Sequence, residues 1–534
     1  MHTEIWLERN KKYSIIDGET GFTLDVAGMN FSEPDLEQLS AKFAKAHEEM
    51  KRIEAGAIKN PDENRKVTHF TDRIAYPTSQ LFADVEKFVE DLRSGTIKGS
   101  TGKKFDSVVI NGIGGSALGP QLLQFAINGP YWNELSNGKR KGYLRIYFTD
   151  NTDTAGVKDV MMAVDLKSTL ILSISKSGGT QETKNNMIAF EMLYKEKELD
   201  FTKHACAITM EGSELDKYSR SNNWLKVFPM AESIGGRTSE ASIVGHLPAA
   251  LAGIDFKSFL AGACRMDNLT REPAVKKNPS YFLASMWYIA GSGHGDRNMV
   301  IVPYSDRLVL LSRYLQQLVM ESIGKEKDLD GNTVNQGLNV FGNKGGTDAH
   351  AFIQQLNDGR NDFFVTFIEV LKDSMIIPVT ETIAMGDYLH GFQAGLAKAL
   401  LSKGRQVIDM QISEVSAFNL GMIIALYERA VAFYAELIHI NAFHQPGVQA
   451  YKLASKDVIS LISELQTKLN AVGKFKGTAS ELCAKTGLAE RELEVSGLLA
   501  KFAENSKKRK FPGFKISRSW DAGKGWIYNI KSNA

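Results

Sequence analysis

The spacing of apolar residues changes character at about residue 95. Before it, Leu36, Leu39, Phe43, Met50 and Ile53, and then Leu81, Phe82, Val85, Phe88, Val89 and Leu92, recur three and four positions apart. That spacing predicts two amphipathic helices. Ser32 suits the N-cap of the first, with Pro34 in its opening turn. Residues 1–95 therefore read as an N-terminal helical segment.

Beyond it, short runs rich in β-branched residues alternate with helical stretches. The runs are Ser107–Ile110, Leu144–Phe148, Thr169–Ile174, Ala205–Thr209 and Leu225–Phe228. After a helical stretch at Tyr281–Ala290, a second set follows at Met299–Pro303, Phe363–Val370 and Val407–Ile412. Alternation of this kind predicts parallel sheets covered by helices, so the fold class is α/β with two domains in tandem. Pro273 and Asn278-Pro279 interrupt the pattern between the sets, giving a first domain at 96–270 and a second at 271–456. A long helix from Val415 to about Ile438 closes the second domain. Residues 457–534 form a basic C-terminal tail, read as short helices, with Lys507-Lys508-Arg509-Lys510 in it.

Charge narrows the functional classes. Sixty-four Lys and Arg nearly balance sixty-two Asp and Glu over 534 residues, which excludes a chain-wide basic face for nucleic acid. The tail fits a solvated appendage or an oligomer arm, with a small nucleic-acid or partner-binding module as the sharper reading. Cys206, Cys264 and Cys483 are odd in number and far apart, which fits a reducing compartment. No stretch approaches the length of a membrane span, and the N-terminus is unlike a secretory signal. A cytoplasmic protein is expected.

Candidate chemistry concentrates in six places. Asn111-Gly112-Ile113-Gly114-Gly115-Ser116-Ala117 follows the first buried strand, where a glycine-rich turn lets backbone approach a ligand. It fits a dinucleotide fingerprint only weakly, since no acidic residue follows at the expected distance. Ser175-Lys176-Ser177-Gly178-Gly179-Thr180 follows the third strand and precedes a helix. Hydroxyls, a lysine and free amides at a helix N-terminus suit a phosphomonoester, though Ser or Thr there also serve as plain caps. Gly235-Gly236-Arg237 offers an arginine that could clamp an anion or sit at a structural turn.

Leu311–Ile323 reads as a helix with Leu311, Tyr314, Leu315, Leu318, Val319 and Ser322 on one face. Glu321 lies at the edge of that face with Gln317 one turn before it; it suits a general base, and equally a solvated flank. His350 follows a flexible Gly345-Gly346 loop and could move protons or be structural. Gln445-Pro446-Gly447 opens a helix carrying Lys452. His294, His439 and His444 lack companions at metal-ligand spacing, so no metal is expected.

Taken together and in this order, these elements resemble the glucose-6-phosphate isomerase family over roughly residues 60–456. The motifs that carry the resemblance are GIGGSALGP, SKSGGTQET, GGRTS, QLVMESIGK, GGTDAHAF and QPGVQAYK. The resemblance implies two sugar-isomerase domains, each an α/β/α sandwich, and no cofactor. It implies that Ser175, Lys176, Ser177, Gly178, Gly179 and Thr180 hold the 6-phosphate. Gly115, Ser116, Gln317 and Gln445 would line the sugar. Glu321 would be the base, His350 and Lys452 would assist ring opening, and Arg237 would stabilise the intermediate.

The family also implies interconversion of glucose 6-phosphate and fructose 6-phosphate in glycolysis and gluconeogenesis, by proton transfer through a cis-enediol. It implies a homodimer in which His350 enters the partner's site, and says nothing about the basic tail; no membrane is expected among the partners, and the near-neutral charge speaks against nucleic acid. Ala117 replaces a usual acidic residue, Ser177-Gly178-Gly179 a bulkier run, Ile323 a usual asparagine and Gln449 a usual glutamate. Two other readings remain at this point: a sugar-phosphate sensor on the same fold, and an isomerase preferring another phosphosugar.

Overall fold

The computed structural model describes residues 3–532, in two compact units, Met1–His444 and Gln445–Ala534. In the first unit, the first five expected runs pair into one all-parallel sheet. Its order is Arg145–Thr149, Ser107–Asn111, Thr169–Ile174, Ala205–Thr209, Lys226–Pro229. The three central strands are buried along their whole length, as β-branched runs must be when helices cover both faces of a parallel sheet.

The second set forms a six-stranded sheet. Asn298–Pro303, Phe363–Val370 and Gln406–Ile412 run parallel, with the short Val340–Phe341 on one edge. The other edge departs from the expected helical N-terminus. Between the helices Thr3–Tyr13 and Glu33–Glu54 lies a hairpin, Ser14–Asp17 with Phe22–Asp25, and its second strand pairs antiparallel with Gln406–Ile412. Strands of four residues are too short to register against a helical period. They hold because Phe22 and Leu24 bury in the sheet edge. A second small hairpin, Ile58–Asn60 with Arg65–Lys66, carries Glu63 and Arg65.

The helix Ala417–Leu437 is apolar nearly all round and almost wholly buried, the pattern of a central helix. Its two buried charges are paired. Glu428 meets Arg73 at 2.9 Å, and Arg429 meets Asp267 at 3.1 Å, with Arg73 also 3.2 Å from Asp267. Buried charges persist only when compensated in this way, and the cluster fixes the helices His69–Ala75 and Phe256–Thr270 against the central one. One hydrophobic core includes Val108 and Ile110 of the first sheet and Met299, Ile301 and Phe364 of the second.

The second unit has its own core. Leu461, Leu465 and Leu469 from the helix Pro446–Ala471 pack with Leu482, Val495, Leu499, Phe502, Phe514 and Ile530. After the helix come the strand Lys474–Gly477, the helices Ala479–Thr486 and Glu492–Asn505, and the hairpin Phe514–Asp521 with Gly525–Ser532. The hairpin and first strand make a three-stranded antiparallel sheet with Gly525–Ser532 in the middle. The tail thus contains its expected short helices and adds a sheet. Among the described residues no helix is long and apolar enough to cross a membrane.

Candidate active site

Ligands of parallel α/β sheets gather at the carboxyl ends of strands, and four of the expected motifs meet there. Ser107–Asn111 runs into the turn Gly114–Ser116. A Cβ on Gly115 would lie 1.8 Å from the carbonyl oxygen of Gly236, so only glycine allows these two loops to touch. Ser239 Oγ donates to the Gly115 carbonyl at 3.3 Å, joining the same pair of loops. A Cβ on Gly114 would sit 3.0 Å from Gln317 Nε2, which brings the helix bearing Glu321 beside the first loop.

The second loop forms a cup of hydroxyls and amides. Gly178 N–H donates to Ser175 Oγ at 3.1 Å, and Gly179 N–H donates to Ser177 Oγ at 3.2 Å. Ser175 Oγ donates to Thr180 Oγ1 at 3.2 Å. Gly178 has φ +72°, and its missing Cβ gives room to the Leu215 amide. Thr180 stands at the N-cap of Gln181–Glu196, yet its side chain makes no capping bond. The plain capping alternative therefore fails at Thr180, and the 16-residue helix keeps its first-turn amides open to an anion.

Lys176 is half-buried, and its Nζ reaches Glu63 at 3.2 Å. Burial first, and then the charge of Arg65, pushes its ammonium below the ordinary value. Arg65 in turn grips Glu63 at 2.6 Å and the Ser233 carbonyl at 3.3 Å.

Arg237 is buried at the centre of the constellation. Its Nε donates to Ser322 Oγ at 2.7 Å, and its Nη2 donates to the carbonyls of Ala442 and His444. Nη1 lies 3.7 Å from Glu321 Oε2. Desolvation holds its guanidinium below the ordinary value, against the pull of Glu321.

Glu321 is partly exposed and accepts from Gln317 Nε2 at 3.2 Å. The expected helix is real at both ends, but Gln316–Met320 is a π-turn between Leu311–Leu315 and Glu321–Ile323. Such bulges concentrate at functional positions. Leu311, Tyr314, Leu315, Leu318, Val319 and Ser322 are all buried, as their shared face requires.

One residue that the sequence did not single out stands directly behind this pair. Lys325 is buried, and its Nζ donates to the carbonyls of Glu321 at 2.8 Å and Ser322 at 2.7 Å. Burial, followed by the Arg237 charge, pushes its ammonium down to about 7. Glu63 and Arg65 lie in a short hairpin that no motif flags, and Ser322, read only as part of its helix's shared face, has no role in the sequence reading.

Ser116 is half-buried on the first loop. His350 ends the turn Asp348–His350 with an exposed imidazole, and no hydrogen bond or ion pair joins it to Glu321. Gln445 and Lys452 belong to the C-terminal unit. Gln445 precedes the helix Pro446–Ala471, and Lys452 is exposed in that helix.

The chain is similar in sequence and fold to known proteins. The phosphoglucose isomerase family model matches residues 35–482. The glucose-6-phosphate isomerase of Gloeothece citriformis is 46% identical over 466 residues, covering 85% of this chain and 86% of its own. That of Geobacter sulfurreducens is 45% identical over 518 residues, covering 94% and 95%. The crystal structure of a glucose-6-phosphate isomerase from Chlamydia trachomatis superposes with a TM-score of 0.77 at 27% identity, covering 87% of this chain and 93% of that one.

Proposed function

The chain belongs to the phosphoglucose isomerase family and interconverts glucose 6-phosphate and fructose 6-phosphate, and from that premise we propose that Glu321 is the base that moves the proton. The observation that carries the assignment is the setting of its carboxylate, held by Gln317 at 3.2 Å and by Arg237 at 3.7 Å. Glu321 takes the proton from C2 and returns it to C1 through a cis-enediol. One base serves both carbons because both lie on one face of the planar intermediate. As the carboxylate is neutralised by that proton, negative charge grows on the enediolate oxygen, where the Arg237 guanidinium stabilises it.

The Ser175–Thr180 cup and the amides behind it hold the 6-phosphate, with Lys176 supplying a cation. Anchoring the phosphate away from the reacting carbons turns binding energy into orientation. Gly115, Ser116 and Gln317 line the sugar, and His350 opens the ring by passing a proton to its oxygen.

We read the active form as a homodimer in which His350 completes the partner's site. Its exposure in a single copy supports this. So do the exposed apolar side chains of Leu371, Met375, Ile376, Ile377, Met385 and Phe392, which a partner subunit would cover. The free thiols of Cys206, Cys264 and Cys483 suit a cytoplasmic setting.

The test is Glu321→Gln assayed with fructose 6-phosphate through a coupled dehydrogenase. Turnover should fall by about 10²- to 10⁴-fold while sugar phosphate still binds. Near-normal turnover would remove Glu321 from the reaction.

A further inference from the structure

The C-terminal unit has an order that the isomerase chemistry does not use. A helix, a strand, two helices and a two-stranded wing follow in sequence, with the strand sheet closed in the order first, third, second. This is the winged-helix arrangement, in which Ala479–Thr486 and Glu492–Asn505 form the helix–turn–helix and Phe514–Ser532 the wing.

Its charge is distributed unevenly. On the sheet, Phe514, Ile516, Tyr528 and Ile530 face the core, so the alternate positions face out. Lys474, Lys531 and Lys515 stand directly opposite one another across the three strands, and Lys476, Asn529 and Ser517 form the next row. All six are exposed. Lys507, Lys508, Arg509 and Lys510 lie in the loop that leads into the strand of Lys515. Among the described residues, none of these eight cations is in an ion pair with a carboxylate.

Three lysines in direct register repel one another and destabilise a sheet. The free unit carries that repulsion, and a polyanion laid across the row relieves it. At about 4.8 Å between strands, the row spans roughly 10 Å, comparable with the grooves of B-DNA at about 6 and 12 Å. Asn529 and Ser517 add neutral groups of the kind that bond phosphate oxygens.

The helix that reads bases in many such folds is unsuited here. Glu492–Asn505 carries Glu492, Glu494 and Glu504 against Lys501 alone. The cations sit on the sheet and the loop instead, a placement that suits phosphate backbone rather than base edges.

We propose that the C-terminal unit binds duplex DNA through its phosphate backbone, without sequence preference, using the Lys474–Lys531–Lys515 row and the 507–510 loop. The near-neutral charge of the whole chain, which argued against nucleic acid, averages this cluster away.

The test is fluorescence anisotropy of a labelled DNA duplex titrated with the full chain. With about five phosphate contacts, affinity should fall roughly 500-fold between about 50 and 200 mM salt. The triple variant Lys474→Glu, Lys515→Glu, Lys531→Glu should bind at least about 10-fold more weakly. The corresponding triple change to Arg should retain binding, and isomerase turnover should be unchanged in both, which excludes misfolding as the cause. The proposal is overturned by no binding at low salt, or by equal binding of the Glu variant. It is equally overturned if vesicles of anionic lipid, or single-stranded DNA, bind more tightly than the duplex.

Discussion

Replacing Arg237 tests the electrostatic core of the mechanism. At 3.7 Å from Glu321, its attraction for the carboxylate is about 4 kcal/mol at an effective dielectric constant of about 20. In the proposed reaction Glu321 becomes neutral on taking the C2 proton, and the guanidinium is left to the enediolate oxygen. Removing one such donor from a preorganised site costs about 3 to 4 kcal/mol, or about 10²- to 10³-fold in turnover.

Arg237→Ala also leaves Ser322 Oγ and the Ala442 and His444 carbonyls without their donor, at about 1 to 3 kcal/mol of stability for each buried group. Arg237→Lys separates the two effects, because it keeps the charge and loses the planar fork. The assay is kcat and KM for fructose 6-phosphate in both variants, with circular dichroism to confirm folding. We expect kcat to fall about 10²-fold or more in Arg237→Ala with KM little changed, the mark of an interaction made in the transition state, and an intermediate loss in Arg237→Lys. A folded Arg237→Ala enzyme with kcat within a small factor of the parent would refute the role.

Three further outcomes are expected. Ser177→Ala should raise KM roughly 10-fold or more with little change in kcat, since it removes one bond to a charged phosphate worth about 1.5 to 3 kcal/mol; a fall in kcat alone would place Ser177 in the chemistry instead. Lys325 should leave a mark on stability against pH. Its ammonium sits at about 7 in the fold against 10.5 when free, so between these values the unfolded chain binds the extra proton and stability rises with pH. Denaturant midpoints measured from neutral to alkaline pH should show that rise in the parent and lose it in Lys325→Met; identical profiles would sink the assignment. Finally, the double variant Met375→Asp, Phe392→Asp should yield monomers by size-exclusion chromatography with most turnover lost, and a fully active monomer would show that His350 serves its own subunit.

The parts of this fold that a sequence reveals are those whose physics is local. Thr169–Ile174, Ala205–Thr209 and Phe363–Val370 were placed to the residue, because a strand buried on both faces must be apolar throughout, and its ends are set by turn residues. The hairpin at Ser14–Asp25 escaped, since four-residue strands carry too little pattern and find their place only by pairing with Gln406–Ile412, nearly 400 residues away. The π-turn at Gln316–Met320 escaped for a related reason. A single extra residue in the turn leaves the apolar face intact, so the period that predicted the helix does not register it.

The same division runs through the site. Glu321, Gln317 and the Ser175–Thr180 loop are legible as candidates because their chemistry is concentrated within a few residues. Arg65, Glu63 and Lys325 do not, because their importance is electrostatic and arises only in three dimensions. Arg65 reaches Ser233 across 168 positions of chain, and its charge is what helps push Lys176 down. Lys325 lies four residues after Glu321, yet no pattern of sequence shows that the fold buries it behind Arg237. Composition misleads in the opposite direction. A balance of sixty-four cations against sixty-two anions describes the field far from the protein, whereas a ligand within a Debye length of about 8 Å meets only the groups on one face. The lysines at 474, 515 and 531 become one feature only when the sheet sets them in register, so the charge that decides what the C-terminal unit can hold is a property of strand pairing rather than of the count.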